Sequence, residues 1–323
     1  MKYFITGATG FIGSRVTRRL IEADHEVVAL VRNPDRAARL KDLGVLLVEG
    51  DITDKKTLLP AMSGVDGVFH IAGWYKVGVK SKDLAQKINV EGTRNVLETM
   101  SELGITKGVY TSTLAVNSDT KGQIVDETYM YLGSHLSEYD RTKWLAHYQI
   151  AHPMIKQGLP LVIVLPGLVY GPGDTSQIGE AYRNILIGKI PMIIKKSAYC
   201  WAHVDDIADG HILAMEKGKP GESYIIAGPP HTLEEALEVG AGITGLKLPR
   251  VRVGPAVLKS LAKVMRILGA VLPLPAEFTA ESLRVSAGVT YLGSNEKAKR
   301  ELGYAVRSLE EGLRETLHDL IKR

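Results

Sequence analysis

Residues 2–14, KYFITGATGFIGS, restrict the fold more than any other stretch, because an apolar run passes through three glycines straight into a helical pattern. KYFITG (2–7) has the composition of a short buried strand, and SRVTRRLIEAD (14–24) continues as a helix. A strand that turns on glycine into a helix opens a βαβ unit, and the turn faces the positive end of the helix dipole. Gly7 and Gly10 permit the tight turn and let a pyrophosphate approach the backbone, while Phe11, Ile12 and Gly13 bring it the first N–H groups of the helix. The spacing is G-x-x-G-x-x-G instead of the commoner G-x-G-x-x-G, so the glycines alone say little. Their place between a strand and a helix predicts a dinucleotide site.

The same alternation continues. EVVALV (26–31), VLLVEG (45–50), VDGVFHIAG (65–73), GVYTST (108–113) and LPLVIVLPG (159–167) read as further strands, with long helices over 83–103 and 137–157. Continuous Val, Ile and Leu runs are expected where helices cover both faces of a sheet. The expectation is an α/β fold with a doubly wound parallel sheet. After residue 166 the pattern loosens, and prolines at 172, 191, 229, 230, 249, 255, 273 and 275 divide it into short pieces, which predicts a second, smaller domain.

Composition narrows the classes of function. With 45% hydrophobic and 24% charged residues, the 323-residue chain has the balance of a soluble globular protein. Its charge of +4 comes from 40 basic and 36 acidic residues that are interspersed, which argues against nucleic acid as a partner. The single cysteine, Cys200, excludes an internal disulfide, and no cysteine cluster suggests a metal. No apolar run reaches the length of a membrane span and no signal-peptide pattern opens the chain, so the expected location is cytoplasmic.

The second strand ends in Leu30, Val31, Arg32 and Asn33, where an NAD-specific site usually carries an acid for the ribose hydroxyls. Arg32 suits a 2′-phosphate, so NADP is expected, with NAD as the second choice. In GDITD (50–54), Asp51 is placed to accept from the adenine amino group while Ile52 packs the ring; the alternative for Asp51 is a helix cap. The fifth strand ends in the hydroxyls Thr111, Ser112 and Thr113, at an edge where open parallel sheets bind ligands. In SEYDRTKW (137–144), Tyr139 and Lys143 are four apart and share a helix face. A free tyrosine, with a pKa of about 10, is a poor base at neutral pH, and a nearby ammonium is expected to lower that value.

TGATGFIG, GDITD, FHIAG, INVEGT, VYTST, YDRTK, LPGLVYGPGD, HVDDIADGHILAMEKG and SNEKAKRELGY together resemble the extended short-chain dehydrogenase/reductases, over nearly the whole chain. That family includes epimerases, dehydratases and dihydroflavonol-reductase-like enzymes. The resemblance implies a Rossmann-type domain over 1–166, completed by about 202–227, and a substrate-binding domain from 167–201 and 228–323. It implies that Tyr139 is the proton donor or acceptor and that Lys143 is its partner and a ribose ligand. Thr113 aligns with the family's catalytic hydroxyl, with Ser112 as competitor, and Asn89 with an asparagine that holds a water in the proton relay. Ala72 and Gly73 join the coenzyme site, and Pro166 to Val169 line the nicotinamide. The helices 83–103 and 137–157 are the family's usual homodimer surface.

Departures from the family's patterns narrow the branch. Leu114 and Ala115 follow Thr113 where sugar-nucleotide dehydratases carry an acid, and Tyr199 stands where epimerases carry an arginine for the substrate diphosphate. Arg183 is a possible substitute for that arginine. Trp74, Tyr75, Tyr170, Tyr199 and Trp201 suggest a flatter or more apolar small-molecule substrate, with core packing as the alternative for each. The expected reaction is carbonyl reduction in the manner of the dihydroflavonol-reductase-like group. The alternatives are a sugar epimerase with bound NAD and, more remotely, a non-catalytic NADP sensor. His203, Asp205 and Asp206 look like a metal or triad cluster, but the resemblance makes them a structural connection. His70 is expected to be packed. The helical stretch 255–272, with Lys259, Lys263 and Arg266 on one stripe, is expected to pack with its charges in water, the alternative being a membrane surface.

Overall fold

The computed structural model describes residues 1–78, 82–268 and 279–321. Seven parallel strands form the central sheet: β1 (Lys2–Thr6), β2 (Glu26–Val31), β3 (Leu46–Glu49), β4 (Gly67–His70), β5 (Gly108–Thr111), β6 (Leu161–Pro166) and β10 (Ser223–Ile226). Their order across the sheet is β10-β6-β5-β4-β1-β2-β3, so the winding reverses between β1 and β4. A cleft opens at such a reversal, at the carboxyl ends of the strands. The six strands expected from sequence are all present, and the fold is the expected Rossmann-like α/β arrangement.

Alternation along the strands fills two cores. Phe4, Val28, Val68, Tyr110, Ile163 and Ile225 face one layer, and Ile5, Val27, Phe69, Val109, Val164 and Ile226 the other. The first is covered by the helix Lys55–Met62 and two long helical rods, the second by Phe11–Glu22, Val204–Lys217 and Glu296–Leu302. The rods run through Lys82–Ala85, Gln86–Gly92 and Thr93–Glu102, and through Glu138–Trp144, Leu145–Ala151 and His152–Lys156. Each has a π-helical middle section, a widened turn that recurs at functional positions.

The remaining strands form two smaller sheets. β9 (Ala198–His203) pairs with β7 (Leu168–Tyr170), β11 (Pro230–Thr232) and β13 (Thr290–Tyr291), while β8 (Met192–Ile194) pairs with β12 (Val251–Val253). A third apolar cluster forms here around Tyr170, Tyr182, Trp201, Leu237, Leu313 and Leu317. Asp206 accepts from the backbone N–H and guanidinium of Arg307, which also meets Glu315, so the acidic turn after β9 anchors the chain near its C-terminal helix Leu309–Ile321.

His203, Asp205 and Glu315 do lie close enough to share an ion. However, Nδ1 of His203 accepts from the Asp205 N–H, which puts the ring proton on Nε2, and the Arg307 cation sits beside Glu315. Neither feature suits a metal.

In the basic stretch, Pro255–Leu268 is helical, and residues 269–272 lie outside the described residues. Leu258 and Ala262 pack inward against Leu283 and Ala287, while Val257, Val264 and Ile267 stay exposed. No helix among the described residues is long and apolar enough to cross a membrane.

Candidate active site

The glycine loop is built by close approach. Gly7 has φ +76°, and a Cβ on it would lie 2.8 Å from the N of Ala72, in the turn after β4. A Cβ on Gly13 would lie 2.1 Å from the Gly7 carbonyl oxygen, so the first helix seats on the turn only because residue 13 has no side chain. Gly10 is the N-cap of that helix, with no side-chain cap and no acid in the first turn, which leaves the N-terminus suited to an anion. The turn after β4 is fixed by Thr6, whose Oγ1 accepts from the N–H groups of Ile71 and Ala72, each at 3.1 Å. Gly73 follows at the surface.

At the end of β2, the Asn33 side chain caps the turn Pro34–Ala37, and Arg32 is exposed with no polar partner among the described residues. Asp51 Oδ1 accepts from Thr53 N–H at 2.8 Å, and the cap of the helix Lys55–Met62 is Asp54. The cap alternative for Asp51 therefore does not hold. Ile52 is buried against Gly92. Cradle, open helix N-terminus and unpartnered guanidinium together fit a dinucleotide phosphate.

Tyr139 lies in the first turn of Glu138–Trp144, which Ser137 caps by accepting from Asp140 N–H at 3.1 Å. Its phenol lies close enough to Thr113 for that side chain to favour the ionised form. Ser112, the competing hydroxyl, is directed elsewhere and bonds His147 Nδ1 at 2.8 Å. Burial pushes the Tyr139 hydroxyl up to about 12, against the lowering effect of Thr113. This differs from the expectation that Lys143 lowers it. The Lys143 ammonium donates instead to the Thr111 carbonyl at 2.8 Å and to the Tyr110 hydroxyl at 3.1 Å, and burial draws it down to about 7.

Asn89, in the π-helical turn Gln86–Gly92, is buried and fully engaged as a donor. Its amide donates to the Trp74 carbonyl at 2.9 Å and the Thr142 hydroxyl at 3.0 Å, and its oxygen accepts from Trp74 N–H at 2.7 Å. Thr142 in turn bonds the carbonyls of Glu138 and Tyr139. Asn89 thus clamps the turn after β4 to the helix of Tyr139, and only an Oδ1 lone pair is left for a water.

The aromatic candidates divide. Tyr75 is exposed and Trp74 nearly buried. Tyr199 stacks on Tyr291 (centroids 6.1 Å, 11°), whose hydroxyl donates to Asp140 at 3.0 Å, beside Tyr139 in sequence. Tyr170 and Trp201 belong to the third apolar core, 5% and 3% exposed, and border with Arg183 only a cavity of about 20 Å³. For these two the core alternative replaces the substrate-wall expectation. Pro166 is buried at the end of β6, and Val169 in β7 pairs with Ala202. Thr142 and Tyr110 were not singled out from sequence, although both lie inside motifs that were, YDRTK and VYTST.

Residues 3–227 match the NAD dependent epimerase/dehydratase family. A Synechocystis protein named, provisionally, a dihydroflavonol 4-reductase is 32% identical, over 98% of this chain and 93% of its own. The 2-alkyl-3-oxoalkanoate reductase of Stenotrophomonas maltophilia is 31% identical, over 97% and 98%. Among solved structures, gox2253 superimposes with a TM-score of 0.85 at 33% identity, over 98% of this chain and 96% of that one.

Proposed function

The chain belongs to the NAD dependent epimerase/dehydratase family, as an extended short-chain dehydrogenase/reductase, and from that premise we propose that it reduces the carbonyl of a small, partly apolar substrate with NADPH. The observation that carries this reading is a Tyr139 phenol that burial keeps in its neutral form at the carboxyl end of β5, with the Thr113 side chain acting on it. Reduction needs an acid at the carbonyl oxygen, and a phenol pushed up to about 12 is protonated throughout the physiological range. Gly7, Gly10, Phe11, Ile12 and Gly13 would hold the pyrophosphate, Arg32 the 2′-phosphate and Lys143 the ribose. Bound there, the coenzyme supplies the hydride.

In this mechanism the substrate oxygen accepts hydrogen bonds from Thr113 and Tyr139. As negative charge develops on it, Thr113 stabilises the charge and Tyr139 delivers its proton, giving an alcohol. Leu114 and Ala115 offer no acid for water elimination, and Tyr199 is stacked on Tyr291 where an epimerase would need a cation for a diphosphate. Residues 1–166 with about 202–227 would bind coenzyme, the remainder substrate, and the two helical rods would pair two copies.

Oxidation of NADPH, with NADH in parallel, against aldehydes, ketones and 3-oxo acids tests the reading. Turnover that prefers NADPH and vanishes in Tyr139→Phe supports it. An Arg32→Ala variant should lose about tenfold or more in NADPH affinity and little in NADH affinity. Tightly bound NAD with no net coenzyme consumption would favour the epimerase.

A further inference from the structure

Strands β1, β4 and β5 place three polar side chains in one cross-strand row. Thr6 is in register with His70, and His70 with Tyr110, so all three project to the same buried face. The His70 imidazole stacks on the Tyr110 ring at 5.5 Å and 17°.

The hydrogen bonds fix the direction of each proton. Both lone pairs of Thr6 Oγ1 are taken by the Ile71 and Ala72 N–H groups, so its own proton goes to His70 Nδ1 at 2.8 Å. The ring proton of His70 is then on Nε2 and donates to Thr93 Oγ1 at 3.0 Å. The Tyr110 hydroxyl oxygen accepts from the Lys143 ammonium at 3.1 Å, and the His70 ring stacked on Tyr110 is itself held by Thr93. The ammonium also lies over the Tyr110 ring, 4.7 Å from its centroid.

Among the described residues no carboxylate pairs with this ammonium. Around it are Tyr110 and the Thr111 carbonyl from β5, His70 from β4, and His147 from its own helical rod. Both histidines are kept neutral by burial. Among the described residues two neutral oxygens and the Tyr110 ring hold the charge, so each matters to whether it persists.

We propose that Tyr110, held in place by the His70 ring that Thr93 and Thr6 fix between them, is the positioning residue that keeps Lys143 charged and held at the end of β5. The row also ties this lysine to the turn after β4, through the Ile71 and Ala72 amides, so coenzyme loop and lysine form one buried unit. The significance of the proposal rests on Lys143 serving Tyr139 and the ribose, but its test needs neither coenzyme nor turnover.

The test is an NMR titration of the full chain labelled with 13C-lysine, with the Lys143 signal assigned by its absence in Lys143→Met. Tyr110→Phe keeps the ring and removes the lone pairs, so the Lys143 midpoint should fall by about one pH unit. Thr93→Val removes the acceptor of the His70 Nε2–H, loosens the ring stacked on Tyr110 and should lower the midpoint by a smaller amount. Both outcomes count only where thermal melting shows a folded variant. A midpoint unchanged in both folded variants would overturn the proposal. A protein that reduced no carbonyl would contradict the proposed function and leave this titration to give its own answer.

Discussion

Tyr139, Thr113 and Ser112 show what one residue's direction decides. Beyond the end of a strand, successive side chains still alternate, so adjacent hydroxyls face opposite ways. Ser112 bonds His147, while Thr113 is the hydroxyl that acts on Tyr139. Composition places both hydroxyls at the right edge, but the alternation could be phased only once the strand end was fixed at Thr111. In the proposed reaction, Tyr139→Phe should cost about 10²–10⁴ in kcat, with coenzyme affinity kept. Thr113→Val should cost about 10²–10³, whereas Ser112→Ala should retain turnover. Steady-state kinetics with a separate coenzyme titration distinguish these outcomes. Equal losses in the serine and threonine variants would contradict the assignment.

At the scale of elements, glycines report how closely segments approach. The strand–turn–helix unit was legible in sequence because close packing there demands Gly7 and Gly13. The structure adds the partner surface, the Ala72 turn, which comes from a strand sixty residues on and is invisible to local reading. Gly13→Ala should abolish coenzyme binding and lower the melting temperature, since its Cβ would overlap the Gly7 carbonyl. Gly242, inside the helix Leu233–Thr244, is exposed with open space at its Cβ. Gly242→Ala should therefore stabilise by about 0.5–1 kcal/mol, measured by chemical denaturation. The aromatic candidates were less legible: large rings suit a core and a pocket equally well. Only the third cluster, assembled from residues 168–317, put Tyr170 and Trp201 in the core.

For the whole molecule, buried histidines govern the response to acid. Burial holds His70 down to about 3, His211 to about 4, and His147 well below its usual value. Unfolded, each would take up a proton near pH ~6.5. Their contribution is therefore present above that pH and is lost as pH falls toward the native values. Asp140, pushed up to about 6 by burial, acts in reverse: its contribution is complete below the unfolded carboxyl value of ~3.9 and is lost as pH rises through 6. Three protons outweigh one, so the urea midpoint should be lower at pH 5 than at pH 7, with an unchanged slope. A flat midpoint would contradict the neutral assignments. The sheet order and the motifs were readable from one chain, but this network was not, because it depends on the register of β1, β4 and β5.

The proposed reaction is net hydride transfer to a carbonyl carbon. It is tested most directly by incubating the enzyme with a 3-oxo acid and NADPH deuterated at the transferable position, then following product by NMR and coenzyme by absorbance. The prediction is an alcohol with deuterium at the carbinol carbon, formed one for one with NADPH consumed and at least about a hundredfold more slowly with Tyr139→Phe. Alcohol without deuterium, or equal turnover in the variant, would contradict it.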